Sequence, residues 1–305
     1  VTGAVAESTS FRYYFSVKYN YSGVVQWMSR YNGTAGAYDI AEKITVDGSG
    51  NVYVTGSSYG SGQNLDYLTI KYNSSGVEQW TARHNGPGSV IDEAHSIAVD
   101  AAGNVYVTGE SRVTSLNPDY ATIKYNSSGI EQWVSRYNGP ANNTDIGNSL
   151  AVDGAGNVYV TGESRLNSSY SDYATIKYNS SGVQQWVKRY DGTASQNDRA
   201  IALKLDAAAN VYITGSSAGT GSIGDIATIK YNSSGDTQWT VRYNGPDNLS
   251  EHGNALAVDA AGNVYVTGRT AVTSINTNYI TLKYNSSGVQ QWVSTYDGPG
   301  NSTDE

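Results

Sequence analysis

The chain has 305 residues, a net charge of −8 and no cysteine. The lack of cysteine excludes disulfides and Cys-based metal or thiol sites, and the acidic balance argues against nucleic acid or an anionic membrane as the main partner. No apolar run reaches the roughly 18 residues that a membrane-spanning helix needs. An acidic chain rich in Ser, Thr and Asn is typical of an extracellular or cell-surface protein, so we expect that location without membrane insertion.

Tryptophan recurs at a constant spacing of 53 residues along the whole chain. Such a period indicates one structural repeat copied in tandem. Since Val1-Thr2-Gly3 matches Val54-Thr55-Gly56, the chain begins inside a repeat. We therefore predict a single domain over residues 1–305, with repeats at about 1–40, 41–93, 94–146, 147–199, 200–252 and 253–305.

Each repeat contains four segments with the alternating pattern of a short strand. In the repeat from 94 to 146, an Asp-Ala-Ala-Gly-Asn turn joins the first two segments and an Asn-Ser-Ser-Gly turn joins the last two. Both turns are rich in residues that favour tight reversals of the chain. Both faces of the segments carry apolar or aromatic side chains, which indicates a sheet that is covered on both sides. The predicted strands are Ile97–Val99, Val105–Thr108, Tyr120–Tyr125 and Ile130–Tyr137.

Six repeats of four antiparallel strands predict an all-β fold, a six-bladed β-propeller. The residues that correspond to Ala41–Tyr53 are missing from the first repeat, so we expect the first blade to lack its innermost strand within this chain. The motif Asp-x-x-Gly-Asn-Val-Tyr-Val-Thr-Gly, followed by Ile-Lys-Tyr-Asn-Ser-Ser-Gly and Gln-Trp, resembles the SBBP repeat of bacterial seven-bladed β-propellers. It is more distantly similar to NHL and quinoprotein-like propeller repeats. The resemblance implies a propeller in an often extracellular setting, and it implies no activity.

The resemblance also implies a place for the recurring tryptophans. In related propellers the strand that corresponds to Ile97–Val99 is innermost and the tryptophan strand is outermost, so each tryptophan is expected to pack against the adjacent blade. Stacking of a sugar on a tryptophan is the alternative, and we favour the packing role. The predicted docking residues are Trp27, Trp80, Trp133, Trp186, Trp239 and Trp292.

Two connections vary among the repeats, whereas the turns inside the strand pairs barely change. One variable connection joins the second strand to the third, and the other joins the fourth strand to the next repeat, so both lie on one face of a propeller. Binding residues concentrate in loops that a rigid scaffold holds in place. We therefore predict a binding face that includes Tyr59, Arg112, Arg165, Arg199, His252 and Arg269.

The function predicted from these features is a non-catalytic extracellular recognition or adhesion module that binds a glycan or a surface protein. The alternative is a structural building block of an extracellular assembly, in which the chain binds copies of itself and an open sheet edge pairs with a neighbour's strand. The three histidines stand at different positions of the repeat, and no zinc-protease, nucleophile-elbow or phosphate-loop motif is present. We therefore do not expect an enzyme.

An acidic residue stands in one register before the innermost strand of each repeat. Six carboxylates around a channel mouth offer the hard oxygen ligands that Ca²⁺ prefers. The alternative, which we favour, is that each acid accepts backbone N–H groups in the link between blades. Apart from this Ca²⁺ hypothesis no cofactor is expected. The acids are Asp39, Asp92, Asp145, Asp198, Glu251 and Asp304.

The recurring Asn-Ser-Ser triplets are glycosylation sequons as well as turn formers. Turn chemistry already explains an Asn that is followed by Ser and Gly. Glycosylation is therefore a secondary hypothesis for Asn73, Asn126, Asn179, Asn232 and Asn285.

Overall fold

The computed structural model describes residues 1–8, 11–33, 38–60, 64–114, 116–167, 169–194, 196–273, 276–299 and 303–304. These residues form 23 strands and no helix, which confirms the all-β prediction. The strands make one three-stranded sheet and five four-stranded sheets, with hydrogen-bonded neighbours in sequence order. Antiparallel four-stranded sheets of this kind are consistent with the blades of a propeller.

Contacts divide the chain into two compact units. Unit 1 consists of Val1–Val158 and Ser180–Val183, and unit 2 consists of Tyr159–Asn179 and Gln184–Glu305. The prediction of a single domain over residues 1–305 stays a prediction.

Unit 1 contains twelve strands. The first three form the three-stranded sheet, and the next eight form two four-stranded sheets. The strands are β1 (Thr2–Ser8), β2 (Phe11–Tyr19), β3 (Val25–Tyr31), β4 (Asp39–Val46), β5 (Val52–Tyr59), β6 (Leu65–Tyr72), β7 (Glu78–His84), β8 (Asp92–Val99), β9 (Val105–Arg112), β10 (Pro118–Tyr125), β11 (Glu131–Tyr137) and β12 (Asp145–Val152).

Unit 2 contains the remaining strands, of which the last eight form two four-stranded sheets. The strands are β13 (Val158–Arg165), whose first residue belongs to unit 1, β14 (Ser171–Tyr178), β15 (Gln184–Tyr190), β16 (Asp198–Leu205), β17 (Val211–Gly219), β18 (Ser222–Tyr231), β19 (Thr237–Tyr243), β20 (Glu251–Val258), β21 (Val264–Thr273), β22 (Asn276–Tyr284) and β23 (Gln290–Tyr296).

An aspartate fixes the turn between the first two strands of each four-stranded sheet. In the turn between β8 and β9, Oδ1 of Asp100 accepts the N–H groups of Ala102 and Asn104 at 3.0 and 2.9 Å. Its Oδ2 accepts the Asn104 amide and the Tyr106 hydroxyl at 2.8 and 2.9 Å. Burial alone would raise the pKa of Asp100, but these hydrogen bonds to the ionised form outweigh it and lower the pKa. The aspartate therefore acts as a turn cap.

The strands extend further than the sequence pattern predicts. β8 begins at Asp92 and not at Ile97, and β9 continues to Arg112. The backbone N–H of Arg112 donates to Oδ1 of Asp92 at 3.0 Å, so the acidic side chain holds the two strand ends together. Several residues that the sequence places in variable loops consequently lie on strands.

The second and third strands of each four-stranded sheet supply most of the core. In unit 1, Tyr67 is fully buried, and its hydroxyl donates to the carbonyl of Ala121 in the next sheet at 3.2 Å. In unit 2, Ile226, Val266 and Leu282 belong to one buried cluster. Burial on both faces of these strands agrees with sheets that are packed face to face.

Each of the first five tryptophans contacts the next sheet along the chain. Nε1 of Trp80 donates to the carbonyl of Ser127 at 3.1 Å, and Nζ of Lys71 donates to the same oxygen at 3.3 Å. The neighbouring Gly129 has a φ of 80°, and a Cβ there would lie 2.7 Å from the Trp80 ring. Trp27, Trp133, Trp186 and Trp239 make the same bond to Ser74, Ser180, Ser233 and Ser286. Trp292 differs, since 42% of its surface is exposed.

Candidate functional site

The two variable connections of the repeats lie side by side. In unit 1, Nδ2 of Asn117 donates to the carbonyl of Asn142 at 2.9 Å. In unit 2, Oγ1 of Thr277 donates to the carbonyl of Asp304, and the Asp304 N–H returns a bond of 2.8 Å to the carbonyl of Thr277. We call this edge of the sheets the variable end. The positions at which the repeats differ most are thus brought together within each unit.

The acids of the hypothesised Ca²⁺ ring accept hydrogen bonds at the variable end, most of them from backbone N–H groups. Asp39, Asp92, Asp145, Asp198 and Glu251 are the first residues of their strands and are fully buried. Each of the four aspartates accepts the N–H of a glycine six residues earlier at 2.6 to 2.7 Å, and Asp304 does the same. Glu251 accepts the hydroxyl of Thr270 at 3.2 Å. The ring itself stays a prediction.

An arginine on the fourth strand holds a second buried aspartate in most four-stranded sheets. Arg189 donates from Nε and Nη2 to Oδ2 of Asp172 at 3.2 and 2.9 Å, and it also donates to the hydroxyl and carbonyl of Ser164. Burial raises the pKa of Asp172 in spite of the adjacent guanidinium. Arg83, Arg136 and Arg242 make equivalent pairs with Asp66, Asp119 and Asp225.

Among the described residues, Asp172, Asp191 and Asp198 form one group with the composition of a metal site. One carboxylate oxygen from each lies within 4.8 Å of the others. The positive charge of Arg189 already faces Asp172, and the N–H of Gly192 already binds Oδ2 of Asp198 at 2.6 Å. A cation would have to share these oxygens with an arginine, so the donor set fits Ca²⁺ poorly.

A pocket of about 360 Å³ opens at the variable end of unit 2. Its walls come from β18, β20, β21 and β22, from the two residues before β20 and from Thr303. The hydrogen bonds between Thr277 and Asp304 hold the segment of Thr303 against β22. The lining combines two basic groups, five hydroxyl or amide groups and three apolar groups: His252 and Arg269; Ser250, Thr273, Asn276, Thr277 and Thr303; Ile223, Leu249 and Ala271.

His252 and Arg269 are directly opposite each other on β20 and β21. Nε2 of His252 lies 3.0 Å from Oγ of Ser250, which fixes the ring. Burial lowers the pKa of His252, and the charges of Arg269 and Arg199 lower it further. His252 is therefore uncharged at neutral pH, and Arg269 supplies the positive charge of the pocket. Arg199, whose charge contributes to the lowered pKa of His252, itself lies near an acid, with its Nε 3.6 Å from Oε1 of Glu163.

The same register carries the opposite charge in unit 1. There Glu93 and Glu110 are directly opposite each other on β8 and β9. Glu110 is only 4% exposed and pairs with Arg112 at 2.8 Å. Burial and the charge of Glu110 raise the pKa of Glu93. The repeats therefore differ in the charge of the side chains at this register, on a scaffold that is otherwise repeated.

The structure joins some of the predicted binding residues and leaves others apart. His252 and Arg269 line the pocket, and Arg199 is close enough to affect His252. Tyr59 packs on Tyr38 in unit 1, with ring centres 6.2 Å apart, and Arg165 ends β13 without lining the pocket. Sequence reasoning missed the polar lining residues, although the variability of their connections was the signal that pointed to them.

Other grooves on the surface lie between the turns of successive repeats and recur with them. The largest of the grooves described, about 530 Å³, lies in unit 2 between the turn of Asp206 and the turn of Asp259. Similar grooves of about 350 to 360 Å³ lie between the corresponding turns of unit 1. Their turn aspartates already bind backbone and side-chain donors. A groove that recurs at each junction does not single out a functional site.

The Asn-Ser-Ser sequons lie in tight turns. Oδ1 of Asn73 accepts the N–H groups of Ser75 and Val77 at 3.0 Å. The same pattern holds at Asn126 and Asn285. Turn formation accounts for the asparagine, and glycosylation stays a prediction.

Solved structures with a similar fold include several enzymes. The periplasmic gluconolactonase of Pseudomonas aeruginosa has a TM-score of 0.59 at 12% identity, over 98% of this chain and 86% of that one. A hypothetical selenium-binding protein of Sulfolobus tokodaii has a TM-score of 0.57 at 10% identity, over 93% and 73% of the chains. A quinohemoprotein alcohol dehydrogenase of Pseudomonas putida has a TM-score of 0.52 at 10% identity, over 97% and 58%. At these identities the likeness shows the fold alone.

These neighbours correct the function predicted from the sequence. A non-catalytic recognition or adhesion module, with an extracellular building block as the alternative, was expected because the repeats are nearly identical. Two of these three structures are named as enzymes and none is named for adhesion, so that prediction is wrong. The expectation that the chain is not an enzyme stays a prediction, since fold likeness transfers no activity.

In the part of the chain that the structure describes, no helix has the length and apolar character to cross a bilayer.

Two sequence comparisons bear on the class of the protein. A search of curated protein sequences gives no match. A family model described as the SBBP β-propeller repeat matches residues 26–62, 79–117, 132–165 and 238–276. Together with the antiparallel four-stranded sheets, this match shows that the chain carries SBBP β-propeller repeats.

Proposed function

We propose that this chain is an exported β-propeller protein that binds a small molecule in the pocket at the variable end of unit 2. The observation that carries the proposal is the placement of His252 and Arg269 in a register where the repeats diverge in charge. A volume of about 360 Å³ suits a small ligand, and apolar walls with a few converging polar groups are typical of ligand pockets.

The electrostatics of the pocket favour binding over proton transfer. Ser250 and His252 are at the distance of a nucleophile and its base. A general base has to take up a proton, however, and Arg269 and Arg199 disfavour the imidazolium form. In serine hydrolases a carboxylate stabilises that form, and two arginines do the opposite. We therefore propose that Ser250 and His252 contact the ligand and do not act as a nucleophile and its base.

Export and blade arrangement are finer parts of this proposal. An acidic chain without cysteine suits a location outside the cytoplasm, and the similar gluconolactonase is named as periplasmic. The six-bladed arrangement, with a first blade that lacks its innermost strand, also stays a proposal, and the three-stranded first sheet supports it.

The test is a thermal-shift screen of a small-metabolite library against the full chain and two variants. Ala271→Tyr fills the pocket with the residue that Tyr59 supplies at the same register, so the fold should tolerate it. Lys204→Ala is the control, because other repeats carry Ala98 and Ala257 there. We expect compounds that raise the unfolding temperature of the wild type and of Lys204→Ala but not of Ala271→Tyr. Stabilisation that persists in Ala271→Tyr, or a screen without any stabilising compound, would contradict the proposal.

A turnover assay accompanies the screen. Simple lactones and p-nitrophenyl esters are incubated with the wild type and with Ser250→Ala. We expect equal rates, at the level of buffer. Hydrolysis that Ser250→Ala abolishes would overturn this part of the proposal and assign Ser250 and His252 as a catalytic pair.

A further inference from the structure

We propose that the edge of β1 opposite β2 binds an extended strand of a partner polypeptide, and that this strand has the side-chain pattern of the first strand in the four-stranded sheets. The inference is independent of the proposed function, because it concerns a different surface, in unit 1. It follows from the geometry of β1, from an apolar cleft beside it and from the strands that cover the same edge in the other sheets.

β1 is built like the second strand of a four-stranded sheet. Oγ1 of Thr2 donates to the carbonyl of Phe15 at 3.2 Å. On β5, Oγ1 of Thr55 donates to the carbonyl of Leu68 in the same way, at 3.1 Å. β5 also pairs with β4 on its other side, whereas β1 pairs with β2 alone among the described strands. An edge of this kind is a template for a further strand.

The backbone groups that a further strand would use can be named. Val1 and Val17 exchange both backbone hydrogen bonds, at 2.9 Å each. Successive residues of an antiparallel strand direct their N–H and C=O groups to opposite sides. The N–H and C=O groups of Thr2 and Ala4 therefore point away from β2, towards the open side.

Gly3 leaves room for the close approach of a further strand. In four of the other sheets a Cβ on the corresponding glycine would overlap a carbonyl oxygen of the first strand, and these glycines are Gly56, Gly109, Gly215 and Gly268. A Cβ on Gly3 would meet no described atom within 4 Å. β1 thus has the glycine that a paired first strand requires.

An apolar cleft of about 360 Å³ lies beside β1. Ile44 on β4 lines the cleft and is 36% exposed, whereas at most 9% of the surface is exposed at its counterparts Ile97, Leu150, Leu203 and Leu256. β8, which carries Ile97, has β4 against it. A strand paired with β1 would lie against β4 in the same way and would bury Ile44, which favours its binding. The other lining residues are Val1, Val17, Lys18, Tyr19, Trp27, Val46, Gly50 and Val52.

The first strands of the four-stranded sheets define the chemistry of the occupant. β4, β8, β12, β16 and β20 each have an acid at position one, Ala or Gly at position three, Ile or Leu at position six, and Val or Leu at position eight. Ala41 at position three pairs with Gly56, and Ile44 at position six pairs with Val54. The same register on β1 places the small residue opposite Gly3 and the aliphatic residue opposite Val1.

The source of the strand follows from the pairing within the chain. The five described strands with this pattern are each paired in their own sheet. A second copy of the chain would therefore have to break one of its sheets to donate such a strand. We assign the strand to a partner polypeptide, in which main-chain pairing supplies affinity and alternate side chains supply specificity.

The experiment measures, by fluorescence anisotropy, the binding of a labelled peptide with the sequence of residues 92–104 to the full chain. An Ile97→Lys peptide places an ammonium group opposite Val1. The matched control peptide is Ala98→Lys, because β16 carries Lys204 at that position. We expect saturable binding of the unchanged and Ala98→Lys peptides, and binding weaker by about tenfold or more for Ile97→Lys.

Variants of the full chain locate the site. Gly3→Val should weaken the unchanged peptide by about tenfold or more, because its side chain takes the space that the strand needs. Ile44→Ser, which removes an apolar wall, is the second variant if the first fails to fold. Gly154→Ala should change binding less than about twofold, since Ala101 stands at that position in another repeat. Bound peptide should also slow hydrogen exchange of the Thr2 and Ala4 amides.

Three outcomes overturn the inference. Equal affinity of the Ile97→Lys and Ala98→Lys peptides would reject the proposed side-chain pattern. Binding that Gly3→Val and Ile44→Ser leave unchanged, or no binding at millimolar peptide, would reject the edge of β1 as the site. A dimer in light scattering without peptide, lost in Gly3→Val, would replace the partner strand with a second copy of the chain.

Discussion

Replacing Trp80 with alanine tests how successive sheets of unit 1 are held together. The indole donates to the carbonyl of Ser127, and its ring lies between Tyr53 and Tyr125, with ring centres 6.2 and 6.4 Å away. Truncating a fully buried tryptophan costs roughly 3–5 kcal/mol, and Trp80 is only partly buried. The lost hydrogen bond adds about 1 kcal/mol, although Lys71 still binds the Ser127 carbonyl. We expect a loss of about 2–4 kcal/mol from the free energy of unfolding.

The matched control is Trp292→Ala, which changes the same position in a repeat where the tryptophan is 42% exposed. A loss under about 1 kcal/mol is expected there, in the range of ordinary surface substitutions. Guanidinium unfolding followed by circular dichroism measures both variants against the wild type. Because repeat arrays can unfold in stages, amide hydrogen exchange of β6 and β10 provides a local reading. Equal losses for Trp80→Ala and Trp292→Ala would refute the role of docking in stability.

Four further predictions concern strain, charge and metal. Ala209 has a φ of 58° in a register where Gly103 has 79°, and a left-handed φ strains any residue with a Cβ, so Ala209→Gly should stabilise the chain by about 1 kcal/mol in denaturant unfolding. An unchanged free energy of unfolding would refute this backbone strain. Arg189→Ala leaves Asp172 buried without its cation and should cost about 1–3 kcal/mol at pH 7 and less as the pH falls, because burial raises the pKa of Asp172 and protonation removes the uncompensated charge, as pH-dependent unfolding can measure. The pKa of His252 is lowered in the fold, so the unfolded chain binds more protons and stability should fall as the pH drops below about 6.5; His252→Ile should remove that slope, and an unchanged slope would contradict it. Because Arg189 already faces the acid group, millimolar Ca²⁺ should leave the melting temperature unchanged; a rise that EDTA reverses and that Asp191→Asn abolishes would show a calcium site.

The sequence was sufficient to predict the strands and turns, because the pattern repeats with the same register. Asp100 and Gly103 recur with their partners, and each copy supports the interpretation of the others. The length of the strands was underestimated. β8 begins at Asp92, where the alternation of apolar and polar residues is weak and where the Asp92 side chain accepts the backbone N–H of Arg112 on β9. That contact depends on tertiary structure and leaves no periodic signal.

The candidate site was only partly predictable. The variable connections indicated the end of the sheets at which the pocket opens, and His252 and Arg269 were among the residues named there. Their pairing across two strands depends on a register that begins at Glu251, and the hydrogen bond between Thr277 and Asp304 joins distant parts of the last repeat. The predicted acid ring stays a prediction. Asp92 and Asp198 each accept a backbone N–H, which is a reason for the acid to recur without a ligand.

The most direct measurement of the central claim is methyl NMR of the full chain with labelled isoleucine, leucine and alanine, titrated with a compound that the thermal-shift screen selects. Ile223, Leu249 and Ala271 line the pocket and report on its occupation. We expect saturable shifts confined to these three methyl groups and their neighbours, and we expect Ala271→Tyr to abolish the shifts of Ile223 and Leu249. Saturable shifts at the turn grooves around Ala101 or Ala260 instead, with the three pocket methyl groups unmoved, would contradict a ligand site in the unit 2 pocket.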